Sequence, residues 1–324
     1  MIYWFNCGGC VHIFTVIFMY GLWSSVFSLG KLALENSPPV FLTAVRMTLA
    51  GLLLVGFIVF KNKSQFRLRK NHLVPILALS ILSIYLTNIL EFWGLQHLSA
   101  AKTCFIYSLS PFFAAIFSYI HFGEKMNAQK SIGMFIGFLG FIPTILMQTE
   151  NETFYQAFGI FSWPELAIVG AAFFSVYGWV VLRIIVKKQT ISPLFANGYS
   201  MLFGGLIALV HSLFSDTWNP IPVTISNLKP FLYGILLMTL VSNIICYNIY
   251  GFMLKKFTAT FLSFMGLLSP IFASLNSWII LNEPPSWQIL LSTSIVCLGL
   301  FIVYQAELKQ GYITKDNKLE PKSA

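Results

Sequence analysis

The chain has 324 residues, of which 57% are hydrophobic, 16% aromatic and only 10% charged. A soluble domain carries roughly 25% charged residues, so charge this scarce cannot coat a water-facing surface and argues against a soluble fold. The net charge of +9 is not a nucleic-acid signal, because the basic residues sit in short segments between long apolar runs, the pattern that sets membrane topology.

Apolar runs of about 18 residues or more predict membrane-spanning helices. In chain order they fall at 11–31, 38–60, 73–95, 101–121, 131–148, 163–186, 194–214, 229–252, 258–281 and 286–306. The first run has no basic segment before it and no small-residue cleavage site after it, so it reads as a retained helix. Connections are short, the longest being 61–72 and 149–162, and the polar tail after Ala306 reads as disordered. The expected fold is an all-α integral membrane protein of ten transmembrane helices. One five-helix unit spans 1–148 and a second spans 163–306, joined by an outside loop at 149–162 and followed by a tail at 307–324.

Lysine and arginine orient this map. With the N-terminus inside, sixteen basic residues, among them Arg67, Lys125, Lys130, Arg183 and Lys256, fall on the inner side, against Lys31, Lys102 and Lys229 outside. Arg46 alone lies within a span. The bias predicts that both termini face the cytoplasm of an inner membrane.

The two halves repeat one another. Ser110-Pro111 stands thirteen residues before Glu124, and Ser269-Pro270 stands thirteen before Glu283. Gly140 pairs with Gly299, Gly94 with Gly251, Tyr20-Gly21 with Tyr177-Gly178 and Ser37-Pro38 with Ser192-Pro193, in the same order along both halves. Five spans is an odd number, so the halves must be inverted, as in several secondary transporters.

On these residues the chain resembles the drug/metabolite transporter superfamily, specifically its EamA-like ten-helix members. The resemblance rests on the doubled Pro111…Glu124 and Pro270…Glu283 motifs and on Arg46 early in the second span, and it covers nearly the whole chain. It implies five-plus-five inverted repeats and a central cavity lined by helices 1, 3, 4, 6, 8 and 9. It also implies secondary transport of a small metabolite by exchange or ion coupling. Lys102 and Glu91 depart from the family pattern, so the superfamily average does not transfer to the substrate. Within the superfamily, the S-adenosylmethionine carriers of intracellular bacteria are the lead.

An ionised side chain in mid-membrane costs roughly 3 kcal/mol on insertion scales and needs a partner or a wet cavity. Arg46 offers a fork for a carboxylate, or pairs with Glu91, or bonds to helix-end carbonyls. Glu91 suits a cationic group or a coupling proton, and Tyr85, Asn88 and Glu91 or Phe92 form one stripe at helical spacing. Lys102 either snorkels to the interface or attracts an acidic group at the cavity mouth, with Tyr107 on the same side of its helix. Tyr20, Trp23, Tyr177, Asn243 and Tyr247 are further candidate lining residues whose alternative is plain helix packing. Pro111 and Pro270 each remove a backbone hydrogen bond and suit gate hinges. Gly133, Gly137 and Gly140 form a small-residue face that offers a homodimer contact.

Opposite charges with neighbouring aromatics suit an amino-acid-like zwitterion, and S-adenosylmethionine or S-adenosylhomocysteine fits. Cys7-Gly-Gly-Cys10 is a single pair without a ligand set, so no metal is expected, and nothing calls for a cofactor or nucleic acid. The chain has no Walker motif, no His-Glu-x-x-His and no Gly-x-Ser-x-Gly. The rivals to a carrier are an intramembrane lipid-modifying enzyme, which needs clustered His, Asp or Ser within the spans, and a passive channel or scaffold, which needs no inverted halves.

Overall fold

The computed structural model describes residues 8–61, 70–98, 103, 106, 107, 109–148, 162–188, 191–224, 227–269, 271, 272, 275 and 287–312. Of the features singled out in the sequence, Cys7, Lys102, Pro270 and Glu283 lie outside these residues. Among the described residues, ten helical rods run in chain order: α1 (Gly8–Leu34), α2 (Pro39–Lys61), α3 (Lys70–Leu79, Ser80–Leu86 and Thr87–His97 end to end), α4 (Ser110–Phe122) and α5 (Ala128–Gln148). They continue as α6 (Trp163–Lys188), α7 (Pro193–Ser215), α8 (Leu228–Met238, Thr239–Cys246 and Tyr247–Met253), α9 (Ala259–Met265 with Gly266–Leu268) and α10 (Trp287–Lys309).

Among the described residues, six stretches are long and apolar enough to cross a membrane: Pro39–Lys61, His72–His97, Trp163–Lys187, Pro193–Ser215, Leu228–Met253 and Leu291–Lys309. Val11–Val26, Ser110–Phe122 and Ala259–Leu268 are apolar but shorter. The outer surface is apolar, with Phe60 92% and Phe214 87% exposed, while Arg46, Lys130, Arg183 and Glu307 are buried. That inverts the usual distribution of a soluble protein, in which charged side chains are mostly exposed.

Local chemistry sets where the rods begin and end. Ser192 accepts the Phe195 N–H at 3.2 Å and Pro193 opens α7, the preferred order of an N-cap and a first-turn proline. Thr258 caps α9 in the same way through the Phe261 N–H at 3.0 Å. At the end of α4, Gly123 turns the chain with φ 65°, a backbone region that favours glycine, and delivers Glu124 into the protein interior.

Two glycine-lined seams organise the bundle. Where α2 meets α7, a Cβ added at Gly51 or Gly205 would stand 2.4 Å from the backbone nitrogen of Leu202 or Thr48. Where α5 meets α10, a Cβ at Gly299 would stand 2.7 Å from the Gly133 carbonyl. Such seams let helix backbones touch. The glycine face of α5 is therefore filled within the chain, by α10 at Gly133 and Gly140 and by Phe264 of α9 at Gly137, and is not free to receive a second copy.

Helices α3 and α8 share an irregularity. Each widens into a π-helical segment, at Ser80–Leu86 and Thr239–Cys246. The first residue beyond each bonds five residues back, Thr87 N–H to the Leu82 carbonyl and Tyr247 N–H to the Ser242 carbonyl. The next residue is an asparagine in both. The Asn88 amide donates to the Ile84 carbonyl at 2.8 Å and the Ser83 carbonyl at 3.3 Å, and the Asn248 amide donates to Ile244 at 2.8 Å and Asn243 at 3.5 Å. Each asparagine thus caps carbonyls that the wider turn leaves less well bonded, and such turns recur at functional sites.

Pro111 stands in the first turn of α4 rather than in its middle. Thr103, Ile106 and Tyr107 upstream are also helical. The bonds on either side tighten to three-residue spacing, Leu109 N–H to Ile106 and Phe112 N–H to Leu109. The proline marks a joint between two helical pieces.

Candidate functional site

A cavity of about 150 Å³ lies where α1, α2, α3, α4, α6, α8 and α9 converge. Every helix implied by the family resemblance contributes to it, and α2 adds Arg46.

The polar end is built on α2 and α3. The π segment ends at Leu86, so Thr87, Asn88, Glu91 and Phe92 follow on the cavity side. Asn88, its amide held by the π carbonyls, turns its side-chain oxygen to accept from Arg46 Nη2. The Arg46 guanidinium is 2% exposed, lies 4.8 Å above the Phe92 ring, and leaves its Nε–H without a hydrogen-bond partner. Glu91 accepts the Tyr107 hydroxyl at 2.8 Å. Arg46 and Glu91 line one cavity, yet no ion pair joins them. A buried guanidinium that bonds to a neutral amide keeps a full unit of positive charge available, a costly state that marks functional sites in membranes.

Aromatic rings line the same cavity. Trp23 stands amid Tyr20, Trp179, Tyr247 and Tyr250, with ring centroids 6.0, 6.0, 5.4 and 6.0 Å away. The Tyr20 hydroxyl reaches across to the Leu262 carbonyl at 2.7 Å.

Outside the cavity lining stand two buried ion pairs. Arg183 meets Glu124 at 2.6 Å, with 4% and 5% of their side chains exposed. Lys130 meets Glu307 at 2.5 Å, with 2% and 0% exposed. The Thr258 hydroxyl, 2.7 and 2.6 Å from the two Glu307 oxygens, also donates to that carboxylate. Arg183 lies one helical turn beyond the cavity residue Trp179, about 6 Å along the axis. Each pair ties the first half of the chain to the second.

Of the residues singled out in the sequence, Tyr20, Trp23, Arg46, Asn88, Glu91, Tyr107 and Tyr247 are brought together here. Tyr177 is not; its ring packs on Phe117 and His121, 5.0 and 5.5 Å away. Asn243 is buried with its amide on the Met47 sulfur at 3.0 Å, and its neighbour Ser242 faces the cavity instead. Tyr85 leaves the expected stripe and bonds to His211 at 3.2 Å, because the π segment breaks the 3.6-residue period that the stripe assumed. Trp179 was not foreseen. A repeat offset of 156, pairing Trp23 with Trp179, would have found it, whereas the Tyr-Gly match at 157 pointed to Tyr177.

Apolar helices around a cavity that holds two opposite charges without a direct ion pair between them fit a membrane carrier. The chain matches the model of the EamA-like transporter family twice, over residues 10–146 and 162–305, and belongs to that family. It is a multi-pass membrane protein of the transporter class. It is 38% identical over 302 residues to the S-adenosylmethionine/S-adenosylhomocysteine transporter of Chlamydia muridarum, covering 93% of this chain and 94% of that protein. The protein of the same name from Chlamydia trachomatis serovar L2 is also 38% identical, covering 93% and 91%. A solved crystal structure superimposes with a TM-score of 0.71 over 93% of this chain and 97% of that one; its 15% sequence identity speaks for the fold alone.

Proposed function

We propose that this protein exchanges S-adenosylmethionine for S-adenosylhomocysteine across a bacterial inner membrane, as an alternating-access carrier without ATP. One observation carries the reading. Arg46 is buried without a direct ion pair among the described residues, in a cavity that also presents Glu91 and several aromatic rings. Such a site fits a ligand that brings its own carboxylate, its own cation and a planar ring. The names of the chlamydial relatives point to the same ligands. In this scheme the ligand's carboxylate lies on Arg46, or on Lys102 at the mouth, and its ammonium on Glu91.

The ten helices form two inverted five-helix units, 1–148 and 163–306, with both termini cytoplasmic. In that orientation the cavity's polar end faces outward, and the pairs Arg183–Glu124 and Lys130–Glu307 close the inner side. Inward opening separates those pairs while the outer ends of α3 and α4 converge, with Pro111 and Pro270 as joints. An exchanger needs no other energy source when product leaves as substrate enters.

Proteoliposomes bearing the full chain test this. Radiolabelled S-adenosylmethionine should accumulate several-fold faster in vesicles preloaded with S-adenosylhomocysteine than in empty ones. Equal rates in loaded and empty vesicles would refute exchange, and no uptake in either would refute the substrate.

A further inference from the structure

The reading above leaves one charge of the substrate without a partner. S-adenosylmethionine carries a carboxylate, an ammonium and a sulfonium, whereas S-adenosylhomocysteine lacks the sulfonium methyl and its charge. Among the described residues, the charged side chains lining the cavity are Arg46 and Glu91. The amino-acid group that both ligands share uses these two, one for each charge. A second carboxylate would neutralise the sulfonium, but it would stand buried and unpaired whenever the product occupied the site, at a high desolvation cost. An exchanger must hold both ligands.

We infer that the face of Trp23 is the group that reads the sulfonium, and that it sets the preference between the two ligands. This rests on the exchange of those ligands proposed above. A tryptophan ring attracts a cation through its quadrupole and carries no net charge of its own to be left unpaired. It still makes a favourable, weaker contact with a neutral thioether. Trp23 is placed for this. It is half-buried and lines the cavity, whereas the four rings around it, Tyr20, Trp179, Tyr247 and Tyr250, are each no more than 8% exposed. Those four hold Trp23 in place from α1, α6 and α8. Trp23 therefore has both the free surface and the rigid support that a cation site requires.

The test compares affinities for S-adenosylmethionine and S-adenosylhomocysteine, measured by calorimetry on the purified full chain. Trp23→Leu should weaken S-adenosylmethionine roughly tenfold, the scale of a desolvated cation–π contact, and S-adenosylhomocysteine much less. Trp23→Phe should fall between. Glu91→Gln should weaken both ligands alike. The ratio of the two affinities does not depend on how much protein is folded, and Trp23→Phe supplies it if the leucine variant does not fold. Equal losses for both ligands in the Trp23 variants, or a loss confined to S-adenosylmethionine in Glu91→Gln, would overturn the assignment. Failure of the unmodified chain to bind either ligand would instead overturn the exchange reading on which it rests.

Discussion

Arg46 and Arg183 are two buried guanidiniums in similar apolar surroundings. Arg46 lies 4.8 Å above Phe92, and Arg183 lies 4.2 Å above Phe122. They differ in what completes them. Arg183 has the Glu124 carboxylate at 2.6 Å, whereas Arg46 has only the neutral oxygen of Asn88. The first arrangement is balanced within the chain and belongs to its architecture. The second has a carboxylate, Glu91, across the same cavity but no direct ion pair with it, which leaves the guanidinium open to a ligand. A buried charge is informative through its partner more than through its position.

The comparison is broken most severely at Arg183. Removing one member of a buried ion pair costs about 3–5 kcal/mol because the other charge is stranded. Glu124→Gln should therefore lower the thermal midpoint of the detergent-purified protein strongly, and adding Arg183→Met should recover much of the loss. An unchanged midpoint for Glu124→Gln would show that the pair is not structural. At Arg46 the expected outcome is reversed. Arg46→Gln breaks no direct ion pair in the unliganded protein, so the thermal midpoint should change far less than for Glu124→Gln while affinity for S-adenosylmethionine falls roughly 100-fold, the scale of a lost buried charge contact. A drop in stability without a drop in affinity would place Arg46 in the architecture after all. The smallest effect is expected at Tyr107, whose hydroxyl donates to Glu91. Tyr107→Phe removes one hydrogen bond to a charged group and should weaken binding about tenfold, with a small loss of detergent stability beside it. A change in stability alone would assign that bond to packing.

Much of this site was legible in the sequence because membranes make charge conspicuous. Arg46 and Glu91 stood out as charged residues within or just inside apolar spans, and the structure puts both on one cavity. The helices followed from apolar runs. Two kinds of information were out of reach. The π segment of α3 shifts the helical phase, so the stripe through Tyr85 missed the face that the cavity uses, and the repeat offset of 157 led to Tyr177 rather than Trp179. The two ion pairs also could not be seen. Lys130 and Arg183 counted as ordinary inner-side basic residues, and their partners lie far along the chain, so no local pattern brings them together.

The two π segments carry a consequence of their own. One residue of an α-helix corresponds to about 100° of rotation, so the wider turn at Ser80–Leu86 acts as a phase shifter between the two ends of α3. The end at Ile76 and Leu79 is fixed by burial in the core. The end carrying Asn88 and Glu91 is aimed by the count of residues between. Helix α8 is phased by its own segment, Thr239–Cys246, before Tyr247 and Tyr250 reach the cavity. Losing one residue from either segment would let the helix close into regular α turns with its two ends near their present phase. What the deletion erases is the wide turn itself, with the loosely bonded carbonyls that Asn88 and Asn248 cap, a feature stored as a residue count rather than as any one side chain.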